Sequence, residues 1–276
     1  MYPEGEQAPA APEYYPEPSI KSRLTANLEG LIPLILILII VAYAGHKIGF
    51  WNIPFFGGKE PIRMLVIGDM SHDLKRIMDE DRDLIRYSVR AADSMRVAPK
   101  DQLAQYKIVM LNQSTLADKT VSRSLGEAIQ EWVKQGGKLI VVQDSGIYRQ
   151  GAVDVIGWQA TFGDLMPVSC DYDKDMVASC TRPVHVTGKI YRLDWKHRIM
   201  EGIEIAPAEP DMALFLQTFN VTPTGNQIAY IQNMTNNAYY PGIVEKTWFG
   251  IGKVIYFNYD PGKTKGIFEN TLEYLR

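Results

Sequence analysis

The sequence predicts an α/β domain with a parallel sheet core, β-hairpins added to its second half, and one transmembrane helix before it. Three observations predict this. Short apolar runs at residues 62–69, 106–113 and 138–144 read as buried strands. Amphipathic segments separate them, and strands alternating with helices imply a parallel sheet covered on both faces. An uncharged apolar run, "LIPLILILIIVAYAG", precedes them at residues 31–45.

From the start of the chain, residues 1–27 form a tail rich in Pro, Glu and Ala. Such a composition buries too little apolar surface to offset its ordering entropy, so a disordered tail is expected. Residues 28–51 follow as the membrane helix. The stretch from Gly30 to Trp51 suits the roughly 20 residues needed to cross a bilayer, so the lipid bilayer is the first partner predicted. Pro33 falls in the first turn, where its missing N–H costs little. No A-x-A cleavage pattern follows the apolar run, which favours an uncleaved single-pass anchor. Basic residues flank both ends (Lys21 and Arg23 before, Lys47, Lys59 and Arg63 after), so loop charge leaves the orientation open. Cys170 and Cys180 are spaced to close a short disulfide loop, which persists only in an oxidising compartment. Of three N-x-S/T triplets, Asn233 is the glycosylation candidate. Together these place the following domain outside the cytoplasm, in a membrane-bound, single-pass protein.

Residues 52–61 make a Pro/Gly linker. The domain then runs from 62 to 276. After its first strand, Ser71 or Asp69 can cap a helix carrying Leu74, Ile77, Met78, Leu84, Ile85 and Val89 on one face. A second helix is expected over 120–135, with Leu125, Ile129, Trp132 and Val133 inward, stopped by Gly136 and Gly137. Beyond residue 168 apolar and polar residues alternate between turn residues, the pattern of hairpins. Gly250 and Gly252 tighten a turn between strands at 243–248 and 253–259. A closing helix carries Ile267, Phe268, Leu272 and Leu275.

Composition excludes some functions. A net charge of −3 offers no basic field, so nucleic acid is not a predicted partner. Two cysteines are too few for a cysteine-only zinc site. Ligands in parallel sheets bind outside the carboxyl ends of strands. Here those ends are Gly68-Asp69, Asn112-Gln113 and Asp144-Ser145-Gly146. Asp69, His72, Asp144 and Ser145 are therefore the candidate polar cluster, read either as turn caps or as a hydrolase or metal-binding site. Asp171, Asp173 and Asp175 alternate in "CDYDKDMVASC" and are the metal-ligand candidates, although Met176 and Arg182 replace the Gly and Glu of an EF-hand loop. Trp158, Trp195, Trp248 and tyrosines 239, 240, 256 and 259 are read as a sugar-binding face or as core.

The segments "YKIVMLNQ", "LGEAIQEWVKQGGKLIVVQDSG", "DWKHRIMEGI" and "GIVEKTWFGIGKVIYFNYDPGKTKGIFENTLEYL" together resemble the class I glutamine amidotransferase-like superfamily, in particular its non-catalytic, membrane-associated branches. The resemblance spans about Ile62 to Arg276. It implies a flavodoxin-like core and speaks to fold more than to function. Catalytic members carry Gly-x-Cys-x-Gly after the third strand and a His-x-Glu pair near the C-terminus. Here the corner reads Val142-Gln143-Asp144-Ser145-Gly146, and "FNYDPGKTKG" has no histidine. Thiolate and general base are both missing from that pattern. The expectation is a membrane-anchored, non-catalytic interaction or scaffolding module with a protein partner at the membrane and no cofactor.

Overall fold

A computed structural model describes residues 33–43, 60–152 and 155–276. Residues 33–43 form a helix, α1. No helix among the described residues is long and apolar enough to cross a membrane. Half of the expected span from Gly30 to Trp51 lies outside the described residues, as do the whole tail and most of the linker.

Residues Glu60–Arg276 form one compact unit. Its elements run β1 (Ile62–Gly68), α2 (His72–Glu80), β2 (Ile85–Arg90), α3 (Pro99–Leu103), β3 (Ile108–Asn112), β4 (Thr120–Val121), α4 (Arg123–Lys134), β5 (Lys138–Val142), β6 (Tyr148–Arg149), α5 (Trp158–Phe162), β7 (Val168–Cys170), β8 (Pro183–Arg192), β9 (Ile205–Ala206), β10 (Leu214–Phe219), β11 (Val221–Pro223), β12 (Asn226–Asn233), β13 (Tyr239–Trp248), β14 (Gly252–Phe257) and α6 (Lys265–Leu275). One mixed sheet has the order β10-β8-β12-β13-β14-β5-β3-β1-β2, with β9 beside β8. The five strands from β14 to β2 are mutually parallel, and the rest pair antiparallel.

The central strands are apolar throughout because both faces are covered. Met64, Val66, Met110, Ile140, Val142, Ile255 and Phe257 pack on one face with Leu74 and Met78 of α2 and Phe268 and Leu272 of α6. Leu65, Ile67, Val109, Leu111, Leu139, Val141 and Tyr256 pack on the other with Leu125, Ile129 and Val133 of α4. Alternate residues of one strand thus feed two cores. Ser71 caps α2 by accepting from the Leu74 N–H, and Ser122 caps α4 by accepting from Leu125. Gly136, with φ of 105°, supplies the left-handed residue that ends α4.

Two expectations change. The helix expected to run from Leu74 through Val89 ends at Glu80, and Ile85–Arg90 is instead the edge strand β2, paired in parallel with β1. The Leu84 and Ile85 N–H groups both return to the Asp81 carbonyl, so the chain turns there. The second helix begins at Arg123, because Thr120–Val121 pair with Tyr148–Arg149.

The antiparallel end of the sheet curls back on the parallel end. β8, β12 and β13 separate β10 from β14 in the sheet order. Yet the Gln143 Nε2, just past β5, donates to the Gln217 carbonyl of β10 at 2.6 Å. Asn258, just past β14, closes the same gap. Its Oδ1 accepts from the Phe219 N–H at 3.0 Å and from the Tyr256 hydroxyl at 3.0 Å. Its Nδ2 donates to the Phe219 and Pro241 carbonyls, each at 2.8 Å. β10 therefore lies across the carboxyl ends of β5 and β14, where it forms a wall of the site.

Candidate functional site at the strand ends

β1 and β3 stay paired through Gly68 and Asn112, but the connections leaving them part, since β2 lies on one side of this pair and β5 on the other. Such a switch point opens a crevice. Gly68 is needed at this point. Its φ is 117°, and a Cβ there would stand 2.0 Å from the Asn112 carbonyl oxygen. A cleft of about 430 Å³ opens nearby, lined by Ser71, Thr115, Gln143, His185, Phe215 and Lys263 among others.

The corner after β5 is held by internal hydrogen bonds. Gln143 has a left-handed φ of 51°, a conformation that non-glycine residues adopt mainly where surrounding contacts enforce it. In hydrolases built on a strand-to-helix elbow, a strained residue of this kind carries the nucleophile. Here it carries an amide, and that amide grips β10. Ser145 is fully buried. Its hydroxyl donates to the Val142 carbonyl at 2.5 Å and accepts the Gln113 N–H at 2.7 Å. The Gln113 Oε1 in turn accepts the Gly146 N–H at 2.9 Å, and the Trp158 indole donates to the Ser145 carbonyl at 2.8 Å. Ser145→Ala is accordingly expected to destabilise the domain by about 1–3 kcal/mol, by leaving the Gln113 N–H unpaired in the core. A urea melt reads this, and an unchanged midpoint contradicts the assignment.

No side-chain hydrogen bond or ion pair joins the four candidate residues to one another among the described contacts. Asp144 pairs with the buried Lys119 at 3.1 Å. Burial pushes the Asp144 carboxyl above the usual carboxylate range, opposed by the Lys119 ammonium. Lys119 also donates to the Gln113 and Ser114 carbonyls, at 2.5 and 3.0 Å, and so straps the loop after β3 to the corner. Asp69 is exposed at the end of β1; its carboxylate accepts from the Met70 N–H and, at 3.2 Å, from the Thr115 hydroxyl. His72 stands exposed in the first turn of α2 and makes no hydrogen bond to Ser145 or Asp144 among the described contacts. Sequence reasoning missed Gln143, His185, Phe215 and Gln217. The His185 and Phe215 rings are nearly coplanar in orientation, with centroids 5.8 Å apart and 4° between planes. Phe215 is 68% exposed.

Elsewhere, Cys170 and Cys180 are joined by a disulfide. Asp173 takes the N–H groups of Asp175 and Val177 and the Arg182 guanidinium. Asp171 accepts from the Thr222 hydroxyl. The three aspartates thus shape a turn, and among the described residues no group of three or more His, Cys, Asp or Glu side chains is arranged to hold a metal. Asn233, the glycosylation candidate, is buried, with its Oδ1 accepting the Thr235 N–H inside the β12–β13 turn. The aromatic residues considered as a sugar-binding face are divided. Trp158, Tyr256 and Tyr259 are core, while Trp195 and Tyr239 are exposed.

No family model matches the chain, and no curated protein matches it. Among solved structures the chain is similar to β-galactosidase from Bacillus circulans sp. alkalophilus, at 13% identity and a TM-score of 0.52 over 78% of this chain and 31% of that one. It is similar to β-galactosidase from Rahnella sp. R3 with the same identity and coverage and a TM-score of 0.51. The chain thus spans about a third of those enzymes, and the likeness shows fold alone. A putative GMP synthase component from Thermoplasma acidophilum matches at 11% identity over 79% of this chain and 95% of that one, with a TM-score of 0.41, too low to carry weight. The chain itself has a mixed α/β architecture around a mostly parallel sheet core.

Proposed function

We propose that the chain is a membrane-anchored, non-catalytic domain on a flavodoxin-like, amidotransferase-like scaffold. It acts as an interaction module for an assembly at the membrane, on the extracytoplasmic side. One observation carries the reading. The polar groups of the corner are engaged internally, while apolar Phe215 stands open at the cleft beside them. An activated nucleophile needs a base within reach to take its proton; the Ser145 hydroxyl donates to the Val142 carbonyl instead, and no base touches it among the described contacts. A partner surface needs the reverse, an aromatic anchor in a cleft with polar groups around it. Gln143, Ser114, Thr115 and Lys263 supply that rim. The disulfide between Cys170 and Cys180 supports the extracytoplasmic side. The anchor rests on the apolar run at residues 31–45.

A photo-crosslinking amino acid in place of Phe215, in the full chain in intact cells, tests the reading. A discrete adduct is expected there and not at Val97, which is exposed on a loop before α3. Equal adducts at both positions, or none at Phe215, would remove the cleft as the docking site. The rival reading, a hydrolase using Asp69, His72, Asp144 and Ser145, predicts ester or amide turnover abolished by Ser145→Ala in protein that remains folded.

A further inference from the structure

The opposite edge of the sheet carries a second surface. β13 and β14 meet in a turn from Trp248 to Gly252 at the amino end of β14. At its tip Phe249 is 82% exposed and Ile251 57% exposed. Phe249 also has a left-handed φ of 46°, an unusual conformation for a bulky side chain. Large apolar side chains protruding together mark a contact surface.

Two lysines flank this turn, and others line the same edge of the sheet. The Lys134 and Lys246 ammonium groups lie 5.6 and 5.4 Å from the Trp248 ring centroid. On the neighbouring strands Lys253 stands in register with Lys138, and Lys138 with Ile108, which puts Lys107 at the same edge. Burial, with the charges of Lys107 and Lys253, brings the Lys138 ammonium down to about 8. Among the described residues no ion pair is made by Lys107, Lys134 or Lys138; Lys253 has Glu245 at 3.7 Å, but that carboxylate is buried against His197 and Tyr274. Positive charge around exposed aromatic and aliphatic side chains complements an anionic bilayer surface, where lysines meet headgroups and apolar side chains enter the interface. The chain also joins the domain at this edge, since β1 and β3 begin beside β5 and β14. The stretch from Gly45 to Glu60 can span at most about 50 Å fully extended.

We propose that the Trp248–Gly252 turn docks on an anionic membrane surface, with Phe249 and Ile251 entering the headgroup region and the lysines of that edge holding acidic lipids. The cleft at the other edge would then face away from the bilayer. The proposal takes the apolar run at residues 31–45 as the anchor, and the test separates the two.

The full chain carrying Ile251→Cys, its native cysteines being paired, is labelled with an environment-sensitive fluorophore. It is placed in nanodiscs of phosphatidylcholine alone or with phosphatidylserine added. The expected result is a blue shift, with quenching by nitroxide-bearing lipid, in the phosphatidylserine discs only. The same label at Phe215→Cys stays water-like in both. Adding Lys107→Glu and Lys134→Glu should weaken docking at least roughly 25-fold, on about fivefold per lysine charge lost near an anionic surface. Water-like emission at position 251 in phosphatidylserine discs overturns the proposal. So does a shift that grows with protein concentration and is not quenched by lipid, since it would assign the tip to a second copy. A chain that does not co-migrate with discs removes the anchor; the label is then read with added vesicles of the same lipids, where a quenched blue shift keeps the docking surface and water-like emission ends it.

Discussion

Replacing Asn258 by Leu is expected to lower the stability of the domain by about 4 kcal/mol or more, among the largest losses a single substitution produces. Asn258 is fully buried, and its amide makes four hydrogen bonds that tie β10 and β13 to the end of β14. Leu fills similar volume but leaves the Phe219 N–H, the Phe219 and Pro241 carbonyls and the Tyr256 hydroxyl without that partner. Each orphaned group costs about 1–3 kcal/mol. For a domain of this size the loss corresponds to a fall in Tm of roughly 8–16 °C. Asn258→Asp keeps the two acceptor roles, loses the two donor roles and adds a buried charge, so it should also destabilise strongly. Asn220→Ala, on an exposed residue beside the same strand, is the control and should shift the melt little. Equal melts for Asn258→Leu and Asn220→Ala would show that the curled sheet is not held by this amide.

The second large effect is expected at Glu245. Its carboxylate lies buried between β13, α6 and the turn before β9. Oε2 meets the His197 Nε2 at 2.9 Å, and Oε1 accepts the Tyr274 hydroxyl at 2.8 Å. The His197 Nδ1 accepts the Ile199 N–H at 3.2 Å, which leaves the imidazole proton on Nε2, pointing at the carboxylate. Glu245→Ala strands two donors in the core and should cost about 3 kcal/mol or more. The pH dependence has a definite sign. Burial raises the Glu245 pKa, but hydrogen bonds from His197 and Tyr274 and the Lys253 charge outweigh it, and the carboxyl sits below its ordinary value. A carboxyl held lower in the folded state contributes stability above the unfolded pKa, near 4.3, and loses it as pH falls through the folded pKa. The stability difference between wild type and Glu245→Gln should therefore be constant from pH 7 to about 5 and shrink below about 4. A difference that instead grows on acidification contradicts the sign.

How much of this was legible in the sequence depends on whether a feature is local. β1, β3 and β5 were readable because strands buried on both faces must be apolar throughout. Ser71 and Gly136 follow local capping rules, whereas Ser122 was read as part of the helix that it caps. β2 was misread for a physical reason. Ile85 and Val89 are four residues apart, a spacing that puts side chains on one face of a helix and of a strand alike. What decides between them is β1, which offers Ile85–Arg90 a parallel partner. The strand-end position of the cleft was readable, but part of its lining was hidden for a related reason. Gln143 carries no signal of its left-handed backbone, which sequence leads one to expect at Gly or Asn. Its partner Gln217 and the exposed Phe215 arrive on β10, which reaches the corner only because the sheet curls. Lys119 stands in a loop where nothing nearby in sequence announces its pairing with Asp144. His72 was placed near Ser145 by strand-end logic alone, but helix geometry turns it to solvent.

The central claim is that the strand-end cleft binds and that the corner beneath it is structural. Its most direct test is retention of partner proteins on the full chain, purified from native membranes in mild detergent, for His185→Ala with Phe215→Ala against Ser145→Ala. Stability melts taken on the same samples confirm that both are folded. The account predicts that the double variant loses a partner the wild type retains, while Ser145→Ala retains it. Retention by the double variant together with loss in folded Ser145→Ala would contradict the account and return the corner to the centre of the function.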